Sequence, residues 1–111
     1  MKKLLFVSLF ALTASMAQSA HSVTLTWTDS SNPVGTTYNV YRATGLCSGT
    51  PVFSKLASGI TVKTYLDSTV IPGNYCYSAT ATLSGMESAQ SVSVAAVILP
   101  DPPTGLTSVV K

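Results

Sequence analysis

Cys47 and Cys76 are the only cysteines in this chain of 111 residues, and His21 is the only histidine. The side chains that most often carry out chemistry are therefore few. A nucleophilic mechanism needs a Ser or Cys within hydrogen-bond reach of a His that a third group holds in place. His21 stands at the frayed start of the first strand-forming run, with no supporting motif around it. Glycosidase chemistry needs two carboxyl groups roughly 5–10 Å apart across a cleft. Asp29, Asp67, Glu87 and Asp101 are instead spread over expected loops and strand ends. Asp67 is expected to hydrogen-bond loop backbone. GTTYNV and GTPVF come nearest to a phosphate cradle, and both lack the lysine and the strand-to-helix context. Two isolated cysteines lack the partners that zinc needs. These residues predict no catalytic site, no metal and no cofactor.

The ends of the chain say where it goes. Lys2 and Lys3 precede an apolar stretch from Leu4 to Ala14, and Ser15-Met16-Ala17 follows as small-x-small. That order is a secretory signal peptide over residues 1–17, with cleavage after Ala17 and a poorer alternative after Ala20. The stretch is shorter than the roughly 20 apolar residues that span a bilayer. The expected compartment is secreted or periplasmic. Without the leader, Arg42, Lys55, Lys63 and Lys111 balance the four carboxylates. A neutral, charge-poor chain has no basic patch for nucleic acid and no polybasic surface for anionic lipid. The basic pI belongs to the leader.

The elements that must position the remaining residues are strands. Short alternating runs are separated by turn residues, the pattern of an all-β sandwich. SVTLTWT places Val23, Leu25 and Trp27 on one face. DSSNPVGT breaks the run. TYNVYRA places Tyr38 and Val40 on one face, with Asn39 and Tyr41 on the other. Strands are expected around Val52–Leu56 and around Tyr65, with Val62 in the core. After Pro72-Gly73-Asn74, Tyr75, Tyr77, Ala79 and Ala81 share a face, and Cys76, Ser78 and Thr80 share the opposite one. LSGMES is a hairpin connection, and QSVSVAAVI supplies Val92, Val94, Ala96 and Ile98 to one side.

The order SVTLTW, YNVYR, TYLDS and PG-x-Y-x-Y-x-A-x-A resembles the fibronectin type III family over His21 to Ile98. The resemblance implies an immunoglobulin-like β-sandwich of two antiparallel sheets. It puts Trp27 at the core tryptophan, Tyr38 and Val40 at the core of the third strand, and Tyr65 at the fifth-strand aromatic. Tyr75 takes the tyrosine-corner position, whose hydroxyl bonds back to nearby backbone, and Tyr77 follows it on the same face. The domain is expected over residues 18–99, with its first strand missing or very short. PDPPTGLTSVVK, residues 100–111, resembles the first strand of a following repeat.

Two cysteines in an exported chain are most simply one disulfide, a free thiol or an intermolecular bond being the alternatives. In the family the third strand ends beside the start of the sixth, which would bring Cys47 to Cys76 on the outer face. The implied function is a non-catalytic extracellular module for protein or carbohydrate binding, adhesion or spacing. Tyr41 is the candidate surface contact. The module is expected to be a monomer, and two other roles compete. One is a self-assembling structural subunit, with residues 100–111 as a donated strand. The other is an accessory fragment of a secreted polysaccharide-acting enzyme.

Overall fold

The computed structural model describes residues 10–16, as backbone strand, and residues 21–111. Eight antiparallel strands form two sheets, with no helix among the described residues. They are β1 (Phe10–Met16), β2 (His21–Trp27), β3 (Thr37–Thr44), β4 (Ser54–Ile60), β5 (Thr64–Asp67), β6 (Gly73–Leu83), β7 (Met86–Glu87) and β8 (Val94–Ile98). One sheet has the order β1-β2-β5. The other has the order β4-β3-β6-β7, and β8 also pairs with β6.

Alternation makes the core. Val23, Leu25 and Trp27 on β2 are buried, while the threonines between them are half-covered. From the other sheet come Tyr38, Val40, Tyr75, Tyr77, Ala81, Ala96 and Ile98. The Trp27 and Tyr38 rings meet edge to face at 5.5 Å between centroids, a favoured aromatic geometry. Tyr65 lies at the margin of this core, half-buried and packed against it.

The break after β2 is built by Asp29. Its Oδ1 accepts the backbone N–H groups of Ser31 and Asn32 at 3.1 and 3.2 Å. Its Oδ2 accepts Asn32 Nδ2 at 2.6 Å and the Tyr38 hydroxyl at 2.8 Å. A short side chain that bonds its own following backbone favours a turn over a continued strand. Burial, and then the bond to Asp29, pushes the Tyr38 phenol up to about 12.

The β6–β7 hairpin turns on Ser84-Gly85, both at positive φ, 52° and 78°. A two-residue turn with both central residues left-handed matches the twist of its strands. Between β7 and β8 the regular strand lapses, but its pairing does not. Ser88 and Ser91 donate their backbone N–H to the carbonyls of Ala81 and Ala79, each at 2.8 Å. Their hydroxyls accept from the N–H of the same two residues at 3.0 and 2.9 Å. Side-chain oxygens thus stand in for missing ladder carbonyls.

Several expectations change. β4 starts at Ser54, and Val52 is exposed in the loop before it. Val62 is 57 % exposed, because it falls outside β4 and β5. Val92 is exposed too, in the irregular stretch where alternation lapses. Val70, from the loop before β6, is buried in the core instead. His21 is half-buried, with Nε2 at 3.1 Å from Asp101 Oδ1. The expected leader lies outside the described residues except for Phe10–Met16. Those seven residues pair with β2, Met16 opposite His21 and Phe10 opposite Trp27. Within residues 21–111 the first strand is β2. The first-strand position of the full chain is therefore held by residues assigned to the leader.

Candidate functional site

Three inward positions converge at one edge of the sandwich. Arg42 follows Val40 by two residues on β3, Asp67 follows Tyr65 by two on β5, and Tyr77 follows Tyr75 by two on β6. In a strand, residues two apart share a face. All three side chains therefore point between the sheets. Asp67 is 1 % exposed. Its Oδ2 accepts the Tyr77 hydroxyl at 2.6 Å and Arg42 Nη1 at 2.8 Å. Its Oδ1 accepts the Thr69 N–H at 3.0 Å and the Thr69 hydroxyl at 2.7 Å. A carboxylate offers about four acceptor positions, and these bonds occupy them. Arg42 Nη1 also reaches Thr69 Oγ1 at 2.8 Å, and its guanidinium lies 5.2 Å from the centre of the Tyr75 ring.

Burial by itself raises the Asp67 pKa, but the bonds from Tyr77, Thr69 and Arg42 outweigh it and hold it below the ordinary value. The Tyr77 phenol is pushed far up by burial and then by Asp67. A phenol so held gives up no proton near neutrality. This group ties β5 of one sheet to β3 and β6 of the other; every polar member serves the fold.

The same end of β6 carries two further fastenings. Cys47 and Cys76 form a disulfide with Cα atoms 5.1 Å apart. It anchors the loop after β3 to β6 and leaves Cys76 fully shielded. The Tyr75 hydroxyl accepts the Ile71 N–H at 3.1 Å, as the tyrosine-corner resemblance implies. That bond and those of Asp67 to Thr69 bracket Val70 and hold its loop against the core.

Beside the disulfide lies the candidate binding cleft, with a volume of about 600 Å³. Arg42, Thr44, Ser48, Thr50, Ser54 and Lys55 provide its polar lining. Leu46 and Val52, 61 % and 83 % exposed, provide apolar surface at its wall. Two cations, four hydroxyls and exposed aliphatic groups suit a ligand with acceptor oxygens and an apolar face. The disulfide restrains the loop that forms one side.

Tyr41 stands next to this cleft. Its hydroxyl donates to Glu87 Oε2, and Lys55 Nζ sits 5.8 Å from its ring centre. Glu87 Oε2 also accepts the Thr80 hydroxyl at 2.6 Å. Asn39 Nδ2 donates to Thr80 and Thr82 Oγ1, each at 2.9 Å. Ser78 and Gln90 are bonded through their side chains. These contacts cover the outer face of β6, so Ser78 and Thr80 are buried. The Glu87 carboxyl is held below its usual range by the bonds from Thr80 and Tyr41.

No three His, Cys, Asp or Glu side chains are grouped to hold a metal ion among the described residues. No helix among them is long and apolar enough to cross a membrane.

The presence of just two cysteines pointed to the disulfide, and the family resemblance implied the Tyr75 corner. Inward parity marks Arg42, Asp67 and Tyr77 one by one, but nothing in the sequence marks them as a group. The cleft had no sequence signal, because its lining is brought together by the loop over residues 46–52.

No protein-family model and no curated protein matches the sequence. Solved structures do. A human fibronectin type III domain, from the KIAA0970 protein, superposes with a TM-score of 0.65 at 18 % identity, covering 96 % of this chain and 88 % of that one. A β-1,2-glucanase from Parabacteroides distasonis matches with a TM-score of 0.57 at 21 % identity, covering 88 % of this chain but 14 % of the glucanase. An Fn3-like protein from Clostridium thermocellum is 30 % identical, with a TM-score of 0.62, and the match covers 87 % of this chain and 96 % of that one. With that identity over most of both chains, and with two antiparallel sheets closing on a common core, the chain belongs to the fibronectin type III family.

Proposed function

We propose that this is a non-catalytic, exported fibronectin type III module that binds a protein or carbohydrate partner through the cleft beside its disulfide. The observation that carries this reading is the lining of that cleft. Lys55 and Arg42 stand among four hydroxyls next to exposed Leu46 and Val52. The carboxylates Asp29, Asp67 and Glu87 are committed to the fold, and Arg42 serves both fold and cleft, its Nη1 held by Asp67 and Thr69. The disulfide and the signal-peptide pattern both support a location outside the cytoplasm. The position of Tyr41, its hydroxyl engaged and Lys55 at its ring, supports a role in fixing Lys55 at the cleft rather than in stacking on a ligand.

Titration by amide NMR tests this. Soluble glucans and acidic peptides are the two probe sets; the glucans also address an accessory role to a polysaccharide-acting enzyme. A binding partner is expected to shift amides from Leu46 to Leu56, and Lys55→Glu with Val52→Asp is expected to abolish the shifts. Shifts centred on other loops would relocate the site. Silence from both sets would leave spacing as the function.

A further inference from the structure

Residues 100–111 have their own resemblance to a first strand, and the structure shows where such a strand goes. β1 lies along β2 in antiparallel register from Met16–His21 to Phe10–Trp27. It is the edge of its sheet. Every residue of β1 lies within the predicted leader, so cleavage after Ala17 would take the strand away and leave one side of β2 with unpaired backbone groups. An unpaired edge recruits another strand.

The candidate replacement is in the same chain. Ala11-Leu12-Thr13 of β1 has its counterpart in Gly105-Leu106-Thr107. Leu106, Val109 and Val110 are 92 %, 82 % and 91 % exposed, apolar side chains on a segment packed against nothing. Set in the register of β1, Leu106 would stand opposite Leu25 and Ser108 opposite Val23. Both partners face the core and are fully buried. Cross-strand neighbours share a face, so Leu106 would enter the interior.

The chain cannot fill its own edge in this direction. Asp101 contacts His21, so the segment leaves the sandwich at the His21 end of β2. An antiparallel strand must enter at the Trp27 end. Seven strand residues separate the two ends, roughly 20 Å. Pro102 and Pro103 span at most about 7 Å.

We propose that in the processed protein Thr104–Lys111 of one copy pairs with β2 of the next. The contact joins two different surfaces, so it repeats head to tail and builds an open chain of subunits. It lies on the sheet opposite the cleft, and its outcome is independent of ligand binding there.

The test uses the whole chain, exported with its leader from a bacterial host. Mass spectrometry reads the processed N-terminus, and light scattering reads the mass. The expected product starts at Gln18 and shows an average mass at least twice that of the monomer, rising with concentration. Leu106→Lys is expected to return it to monomer, and so is an excess of the free peptide TGLTSVVK. Because Leu106 is exposed, this substitution leaves the sandwich folded, which thermal unfolding checks. Three results would overturn the proposal: a processed chain that stays monomeric, an N-terminus that retains Phe10–Met16, or oligomers that persist in Leu106→Lys.

Discussion

β6 is one strand with two different ends. Its start, around Tyr75, Cys76 and Tyr77, is fastened three times: by a disulfide, by the Tyr75 hydroxyl on Ile71, and by a buried carboxylate shared with the other sheet. Its far end is held by a two-residue hairpin and by Glu87, an exposed carboxylate lying over Thr80. Both ends set a carboxylate against a tyrosine hydroxyl. At the start, Asp67 is 1 % exposed, and water cannot replace a lost partner. At the far end, water can. The same bond therefore carries different weight at the two places, and the cleft sits beside the end that is held hardest.

The largest test of this contrast is Asp67→Ala. It strands the buried Tyr77 hydroxyl without its acceptor and leaves the part-exposed Arg42 with Thr69 alone as acceptor. Breaking a fully buried ion pair costs about 3–5 kcal/mol, which sets the upper end here. Domain stability is typically about 5–15 kcal/mol, so urea denaturation should show a sharply lowered midpoint. A midpoint like that of the wild type would mean that the buried group adds little.

Reduction of Cys47–Cys76 comes next. The bridge closes a separation of 29 residues, and the chain-entropy estimate for such a loop is about 3–4 kcal/mol. Calorimetry with and without reductant should show a melting temperature lower by about ten degrees or more. Equal melting would show that the loop is held without the bridge.

Acid should act on both ends in the same direction. Asp67 and Glu87 have folded pKa values below their ordinary ones, 3.8 and 4.5. Their stabilisation is complete above those ordinary values and is lost as pH falls through the lower folded ones. Asp67→Asn removes the larger share. Its stability should fall less between pH 5 and pH 2 than that of the wild type, as read by chemical denaturation across that range. An equal fall in the two would assign acid sensitivity elsewhere.

Glu87→Gln should shift stability by no more than about 1 kcal/mol, because solvent screens an exposed carboxylate. A larger loss, in the same denaturation measurement, would erase the contrast between the two ends. The smallest effect belongs to Ser84→Gly, at the first turn position with φ 52°. Relief of a left-handed serine should stabilise the hairpin by roughly 0.5 kcal/mol, seen as a slightly raised melting temperature.

The strands around Trp27, Tyr38 and Tyr75 are legible in the sequence, because alternation is local. A residue's face follows from its neighbours two positions away. The disulfide was legible because only two cysteines exist to pair. Partial errors came where alternation lapses, at Val52, Val62 and Val92. There a hydrophobic residue sits in a loop, and nothing in the local pattern says that it faces water.

Other features depended on the fold alone. Arg42 and Asp67 lie 25 residues apart, and whether they meet depends on which strands face each other across the core. Ser78 and Thr80 read as outward and are buried, since Glu87 and Gln90 return over them. The cleft exists only because a bridged loop stands against β4. The amino-acid order thus determined which side chains face inward along each strand, by a period of two. Tertiary structure decided which of them share a hydrogen bond or a cavity, because such contacts are set by strand order and register, which join residues that local spacing keeps apart.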